Sequence, residues 1–107
     1  MPQFYDALPV DYLAPGETMT VSVDGFPVAV ANVAGEYWAF QNLCPHQGTS
    51  LGGRPLQQGS LVVCPQHSSC YDVRTGECVQ PDSMDGFGQD LMTFETRIVE
   101  DVVQVQI

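Results

Sequence analysis

The chain contains no lysine. Its only basic side chains are Arg54, Arg74 and Arg97, against thirteen acidic residues and a formal net charge of −10. A surface this acidic repels nucleic acids and anionic membranes, so we expect neither as a partner. An excess of negative charge favours a basic protein partner, and solubility alone is the alternative explanation.

The sequence also lacks the segments that direct a chain into or across a membrane. No apolar run approaches the roughly 18 residues of a membrane-spanning helix. The first residues, "MPQFYDALPVDY", have neither the basic region nor the apolar core of a signal peptide. We therefore expect a cytoplasmic protein that has no contact with a membrane.

A helical period is missing as well, because apolar residues nowhere recur at every third or fourth position over the length of a helix. Apolar and β-branched runs alternate instead with turns that contain glycine or aspartate, which predicts strands. The predicted strands are 19–23, 26–33, 36–42, 60–63, 70–73, 77–79, 93–99 and 102–107. A chain of 107 residues is long enough for a single domain, 1–107, and these short strands predict an all-β fold, an antiparallel sandwich or barrel.

Histidine is scarce: His46 and His67 are the only two, and each closely follows a Cys-Pro pair. The full pattern is Cys44-x-His46, seventeen further residues, then Cys64-x-x-His67. Tetrahedral zinc accepts two thiolates and two imidazoles. However, only Pro45 separates Cys44 from His46, and such a short, stiff link suits two metal atoms better than one. The spacing therefore favours an iron–sulfur centre, with zinc, or histidines that only satisfy their loops, as alternatives.

The other two cysteines, Cys70 and Cys78, flank the short stretch "YDVRTGE". A cross-strand disulfide is one interpretation of this pair. Because the cytoplasm is reducing, we expect packed thiols instead.

The segments "CPHQGTSL" and "CPQHSSCYD" resemble the two cluster-binding loops of Rieske iron–sulfur proteins. In that family two histidines replace two cysteines on one iron of a [2Fe–2S] cluster. The resemblance covers nearly the whole chain. It implies the Rieske fold, an antiparallel β-sandwich or barrel with a cluster-binding subdomain formed by two loops. Those loops correspond to about residues 43–53 and 64–72, and a proline loop to about 80–88.

The resemblance implies one [2Fe–2S] cluster per chain and assigns its four ligands. By similarity, Cys44 and Cys64 hold the inner iron. His46 and His67 hold the outer iron, which is the more exposed one.

Further positions match residues around the cluster in the respiratory Rieske proteins. Ser69 corresponds to a serine that bonds a bridging sulfide, and Tyr71 to a tyrosine that bonds a ligand sulfur. Pro81 falls where the proline loop covers the cluster. Thr49 and Gln66 stand where the respiratory and photosynthetic proteins have two further cysteines, so the disulfide of those proteins cannot form here.

The chain is therefore most similar to the ferredoxins of multicomponent oxygenases, which implies a one-electron carrier that catalyses no reaction itself. The resemblance implies that electrons pass from an NADH-dependent flavoprotein reductase to a terminal oxygenase or hydroxylase in aromatic hydrocarbon catabolism. The segments "CPHQ" and "QPD" favour aromatic or alkene monooxygenase systems over ring-hydroxylating dioxygenases. The alternatives are a small Rieske subunit of assimilatory nitrite reductase and a zinc-binding interaction module. We expect a monomer.

Overall fold

A computed structural model describes residues 3–44, 49–64, 69–80 and 90–107. Three residues of the predicted site, His46, His67 and Pro81, lie outside these ranges. Within them, one 3₁₀ turn spans Val10–Tyr12. The strands are β1 (Phe4–Pro9), β2 (Thr18–Val23), β3 (Phe26–Val33), β4 (Glu36–Gln41), β5 (Leu61–Val63), β6 (Cys70–Asp72), β7 (Cys78–Gln80), β8 (Thr93–Phe94), β9 (Thr96–Val99) and β10 (Val102–Gln106).

The strands form three sheets in which neighbouring strands run antiparallel. Their orders are β1-β10-β9, β2-β3-β4-β8 and β5-β6-β7. This arrangement confirms the prediction of an antiparallel all-β fold. Among the described residues no helix has the length and apolar character needed to cross a bilayer.

Two features of the sheets differ from the predicted strands. The sequence pattern did not predict β1, which pairs with β10 at the opposite end of the chain. The predicted strand 93–99 is divided between two sheets: Phe94 pairs with Ala39 of β4, and Ile98 pairs with Val103 of β10. The chain therefore changes sheet at Glu95, although the strand-like pattern of the sequence continues through this residue.

Strand β3 is buried along most of its length and lies between two apolar cores. Because side chains alternate along a strand, Val28 and Val30 join one core while Ala29 and Ala31 join the other. The small alanines leave room on their face for larger side chains. The core on that face, called here the loop-side core, consists of Ala29, Ala31, Phe40, Cys44, Leu51, Val62, Cys64, Tyr71, Val73 and Leu91.

The segment that follows β4 is held in place by the buried side chain of Asn42. Its Oδ1 atom accepts hydrogen bonds from Thr20 Oγ1 at 2.8 Å, from Gly52 N at 3.1 Å and from Ser50 Oγ at 3.3 Å. Its backbone oxygen accepts a further bond from Leu51 N at 2.7 Å. A single asparagine thus connects both ends of the loop 42–52 to each other and to β2.

Gly52 lies directly against this asparagine because it has no side chain. A Cβ atom at position 52 would come within 2.8 Å of both Asn42 Oδ1 and the backbone nitrogen of Thr20. The loop therefore packs on the backbone of β2, and its base is fixed by contact as well as by hydrogen bonds.

We expect Asn42→Leu to lower the free energy of unfolding by about 1–3 kcal/mol, since it leaves the donors at Gly52 and Thr20 without an acceptor. Asn42→Asp is the matched control. Aspartate keeps an acceptor oxygen in nearly the same shape, and the three donors that face it offset the cost of burying its charge, so its loss should be smaller. Chemical denaturation of the cofactor-loaded protein, followed by circular dichroism, measures both variants. Equal losses would show that the hydrogen bonds to Oδ1 do not hold the loop.

Candidate metal centre

The two segments predicted to bind the metal are closed by the same backbone geometry. The first is bracketed by a bridge between Leu43 and Ser50, and the amide of the next residue, Cys44, donates to Thr49 O at 2.8 Å. The second is bracketed by the pairing of Val63 with Cys70. There the amide of Cys64 donates to Ser69 O, also at 2.8 Å. Each cysteine therefore stands at the base of a loop, five residues before the carbonyl that closes it.

The structure brings the two predicted cysteine ligands into one place. Cys44 follows β4 of the four-stranded sheet and Cys64 follows β5 of a three-stranded sheet, yet both are buried in the loop-side core. Their thiols thus share an apolar environment, although the cysteines come from different sheets. A group that takes two thiolate ligands from two loops fits this arrangement.

Tyr71 reaches the same point from β6. It is fully buried, and its hydroxyl oxygen lies 3.6 Å from Cys44 Sγ. Burial raises the pKa of Tyr71 well above its usual range, and the contact with Cys44 raises it further. The phenol therefore stays protonated at neutral pH and can donate to the sulfur of a Cys44 thiolate.

Ser69 offers a second donor at the base of the second loop. It is almost completely buried. It lies near enough to Tyr71 to lower the pKa of that phenol to a small extent. Even so, no described atom meets hydrogen-bond geometry with Ser69 Oγ. A buried hydroxyl in this position is costly unless it has a partner. A bound sulfide beside the loops would supply the missing acceptor, so Ser69 also fits an iron–sulfur group.

The other two cysteines do not face each other across their hairpin. The register pairs Cys78 with Tyr71 and Cys70 with Gln80, with an irregularity between Cys70 and Tyr71. Cys78 packs against the loop-side core beside its register partner Tyr71, whereas Cys70 is not among the residues of that core. The register therefore does not place the two cysteines at facing positions of a cross-strand pair.

The described residues therefore include four of the seven residues of the predicted site, namely Cys44, Cys64, Ser69 and Tyr71, and bring them together. Sequence reasoning missed Asn42 and Gly52, which fix the base of the first loop. The sequence contains no pattern that marks them, because their role depends on contact with Thr20 of β2, more than twenty residues away.

Comparison with known proteins identifies the family. The model of the Rieske [2Fe–2S] domain matches residues 3–96. The ferredoxin subunit of biphenyl dioxygenase from Pseudomonas sp. (strain KKS102) is 40% identical over 78 residues, which are 73% of this chain and 72% of that subunit.

Solved structures show the same similarity. A chain from the complex of reduced oxygenase and oxidised ferredoxin of carbazole 1,9a-dioxygenase superposes with a TM-score of 0.82 at 27% identity, covering 95% of this chain and 91% of that one. A protein described as the small subunit of an NADH-dependent nitrite reductase from Mycobacterium tuberculosis also gives a TM-score of 0.82. It covers 100% of this chain and 96% of its own, but at 21% identity it shows the fold alone. The chain belongs to the Rieske [2Fe–2S] family, and its cofactor is a [2Fe–2S] cluster.

Proposed function

We propose that the chain is a one-electron carrier that passes electrons from an NADH-dependent flavoprotein reductase to the terminal oxygenase of an aromatic-ring dioxygenase system. The observation that carries the proposal is the pair of matched loops that bring Cys44 and Cys64 into one buried core. Similarity to the biphenyl dioxygenase ferredoxin supports it. So does the existence of a complex between ferredoxin and oxygenase in the carbazole system.

The relatives change one sequence-based expectation, namely the kind of oxygenase system that the carrier serves. The segments "CPHQ" and "QPD" favoured a monooxygenase system, but the named relatives belong to dioxygenase systems, one of them shared with salicylate 5-hydroxylase. The preference for monooxygenases has no support from these relatives, so a dioxygenase is the better proposal. The nitrite reductase alternative rests on likeness in fold alone, and the zinc module has no support among the relatives.

Four residues would hold the cluster. Cys44 and Cys64 would supply the thiolates to the inner iron, and His46 and His67 the imidazoles to the outer one. Two thiolates and two neutral imidazoles leave the oxidised site without net charge. This ligand set therefore opposes an added electron less than four thiolates do, and it gives the higher potentials of Rieske centres.

When bound, the cluster takes up and releases a single electron; the other tasks belong to the protein. The loop-side core excludes water from the two cysteines. Tyr71 would donate a hydrogen bond to the Cys44 sulfur and Ser69 one to a sulfide, and both bonds stabilise added negative charge. Pro81 would cover the cluster from the proline loop.

The proposal places this carrier in the cytoplasm as a monomer. Thiolate ligands such as Cys44 and Cys64 are kept reduced in that compartment. An electron carrier that serves two partners in turn also needs its cluster-binding end to be accessible, which a monomer provides.

The ligand assignment predicts two irons and two acid-labile sulfides per chain. Cys44→Ser, Cys64→Ser, His46→Ala and His67→Ala should each lose or distort the cluster, seen as loss of the visible absorption of the Rieske centre. Cys70→Ser is the matched control and should keep the full cluster, since Cys70 is not part of the loop-side core. Stoichiometric zinc without sulfide in the native protein would contradict the assignment.

The two hydroxyl donors predict a shift in redox potential. We expect a midpoint above that of typical oxygenase ferredoxins and below that of the respiratory proteins. Ser69→Ala and Tyr71→Phe should each lower it by roughly 50–100 mV, the equivalent of one charge-assisted hydrogen bond for a one-electron couple. Voltammetry measures the midpoint, and unchanged visible absorption confirms an intact cluster. A midpoint that does not move in either variant would exclude the hydrogen bonds.

The net charge predicts that electron transfer depends on salt. Raising the ionic strength from about 0.01 to 0.15 M shortens the screening length from roughly 30 to 8 Å, so transfer to basic partners should slow. Asp82 and Asp85 belong to the predicted proline loop, outside the described residues, and Asp82→Asn combined with Asp85→Asn should mimic this loss. The matched control is Asp11→Asn with Asp101→Asn, the same change in charge at one end of the β1-β10-β9 sheet, where Val10 N bonds Asp101 O. Electron-transfer rates that do not change with ionic strength would mean that the acidic residues serve solubility alone.

A further inference from the structure

An open apolar groove lies where the first cluster-binding loop leaves the four-stranded sheet. Its volume is about 600 Å³, and its walls include Phe26, Leu43, Met92 and Phe94. Phe26 is 64% exposed, Leu43 44% and Met92 63%. Three of the seven large hydrophobic side chains exposed in the described part of the chain therefore meet in one place. Exposed apolar surface concentrated in this way marks an interaction site.

The side chain of Gln41 joins the groove to the metal centre. Its Nε2 donates to Leu43 O at 2.7 Å, its Oε1 accepts from Met92 N at 3.0 Å, and its backbone N donates to Met92 O at 2.8 Å. Leu43 directly precedes the cysteine ligand Cys44. The wall of the groove and the base of the first cluster-binding loop are thus one hydrogen-bonded unit, and a partner seated here would contact the protein next to its redox site.

The charge around the groove indicates the chemistry of its partner. Among the described residues that line it, no side chain is charged, although thirteen acidic residues occur in the chain. Exposed acidic residues lie close by in sequence: Asp24 is two residues before Phe26, and Asp90 two before Met92. An uncharged groove on a chain with a net charge of −10 complements an apolar side chain flanked by lysine or arginine, and an uncharged contact centre is usual for a protein interface.

We propose that this groove docks the terminal oxygenase, which inserts an apolar side chain between Phe26, Leu43 and Met92 and sets basic residues against the acidic surface of the chain. The proposal rests on the proposed function, in which the contact with an oxygenase has support from a solved complex. Charge attracts every basic partner, whereas an apolar anchor in a shaped groove distinguishes one partner from another. The groove therefore supplies selectivity and residence time, and the acidic residues supply the rate of encounter.

The test compares cluster-loaded variants in binding to the terminal oxygenase component of biphenyl dioxygenase by calorimetry. Phe26→Ser and Met92→Ser should each raise the Kd about tenfold or more, since they remove an apolar anchor. Tyr12→Ser and Ile98→Ser are the matched controls, because these residues are 65% and 53% exposed but lie outside the groove. The controls should bind like the native chain.

Three further readouts decide what a loss of affinity means. The visible spectrum and midpoint potential should stay unchanged in Phe26→Ser and Met92→Ser, which excludes damage to the cluster. The ratio between variant and native Kd should persist at about 0.5 M salt, where surface charges are screened. Binding to the flavoprotein reductase should change less than binding to the oxygenase.

Several results would overturn the groove as an oxygenase site. These are native affinity in both variants, an equal loss in the controls, or a loss confined to the reductase. A native dimer in sedimentation that the two variants dissociate would instead assign the groove to a second copy of the chain. A native, cluster-loaded chain that exchanges electrons with neither partner refutes the proposed function, and the groove assignment with it. Normal electron transfer with unchanged binding in the variants refutes the groove alone.

Discussion

The structure depends on one constraint: two cysteines that belong to different sheets must reach the same buried point. Cys44 arrives from the four-stranded sheet and Cys64 from β5-β6-β7, and each is placed by an amide that bonds a carbonyl five residues later. In the ligand assignment, each loop supplies one of the two thiolates. The sheets must therefore stay in fixed relation for the metal centre to exist, and the loop-side core that both cysteines enter supplies this fixed relation.

Side-chain size on β3 makes room for that core. Val28 and Val30 fill the core on one face, while Ala29 and Ala31 occupy the face toward the cysteines. Small residues there allow the ring of Tyr71 to be buried with its hydroxyl near Cys44 Sγ. A larger residue in place of either alanine would compete with the loops for the same volume, and a close-packed interior accommodates such changes poorly. The pattern of this strand is thus part of the site, although no atom of it is proposed to touch the cluster.

The sequence allowed most strands and the cysteine pair to be predicted because both depend on local signals. Period-two patterns and turn residues mark β2, β3 and β4, and the Cys-Pro-His segments mark the loops. The features that the sequence could not reveal depend on contacts between residues far apart in the chain. Strand β1 is defined by pairing with β10, where Gln104 Nε2 donates to Asp6 Oδ1 across almost the whole chain. The change of sheet at Glu95 and the roles of Asn42 and Gly52 likewise depend on contacts with residues that are distant in the sequence.

Because basic residues are few, acidic charge and apolar contact can contribute separately to the binding of a partner. Each arginine has a partner within the chain. Arg74 pairs with Asp72, Arg97 lies over the Phe4 ring, and Arg54 donates to Ser50 O. They therefore support turns and strands, and most of the thirteen acidic residues are left to give the surface one sign. A uniform sign attracts basic partners from a distance but cannot orient them, because it has no pattern. Orientation must come from uncharged surface near the metal centre, and in the described part of the chain the groove beside Leu43 is such a surface.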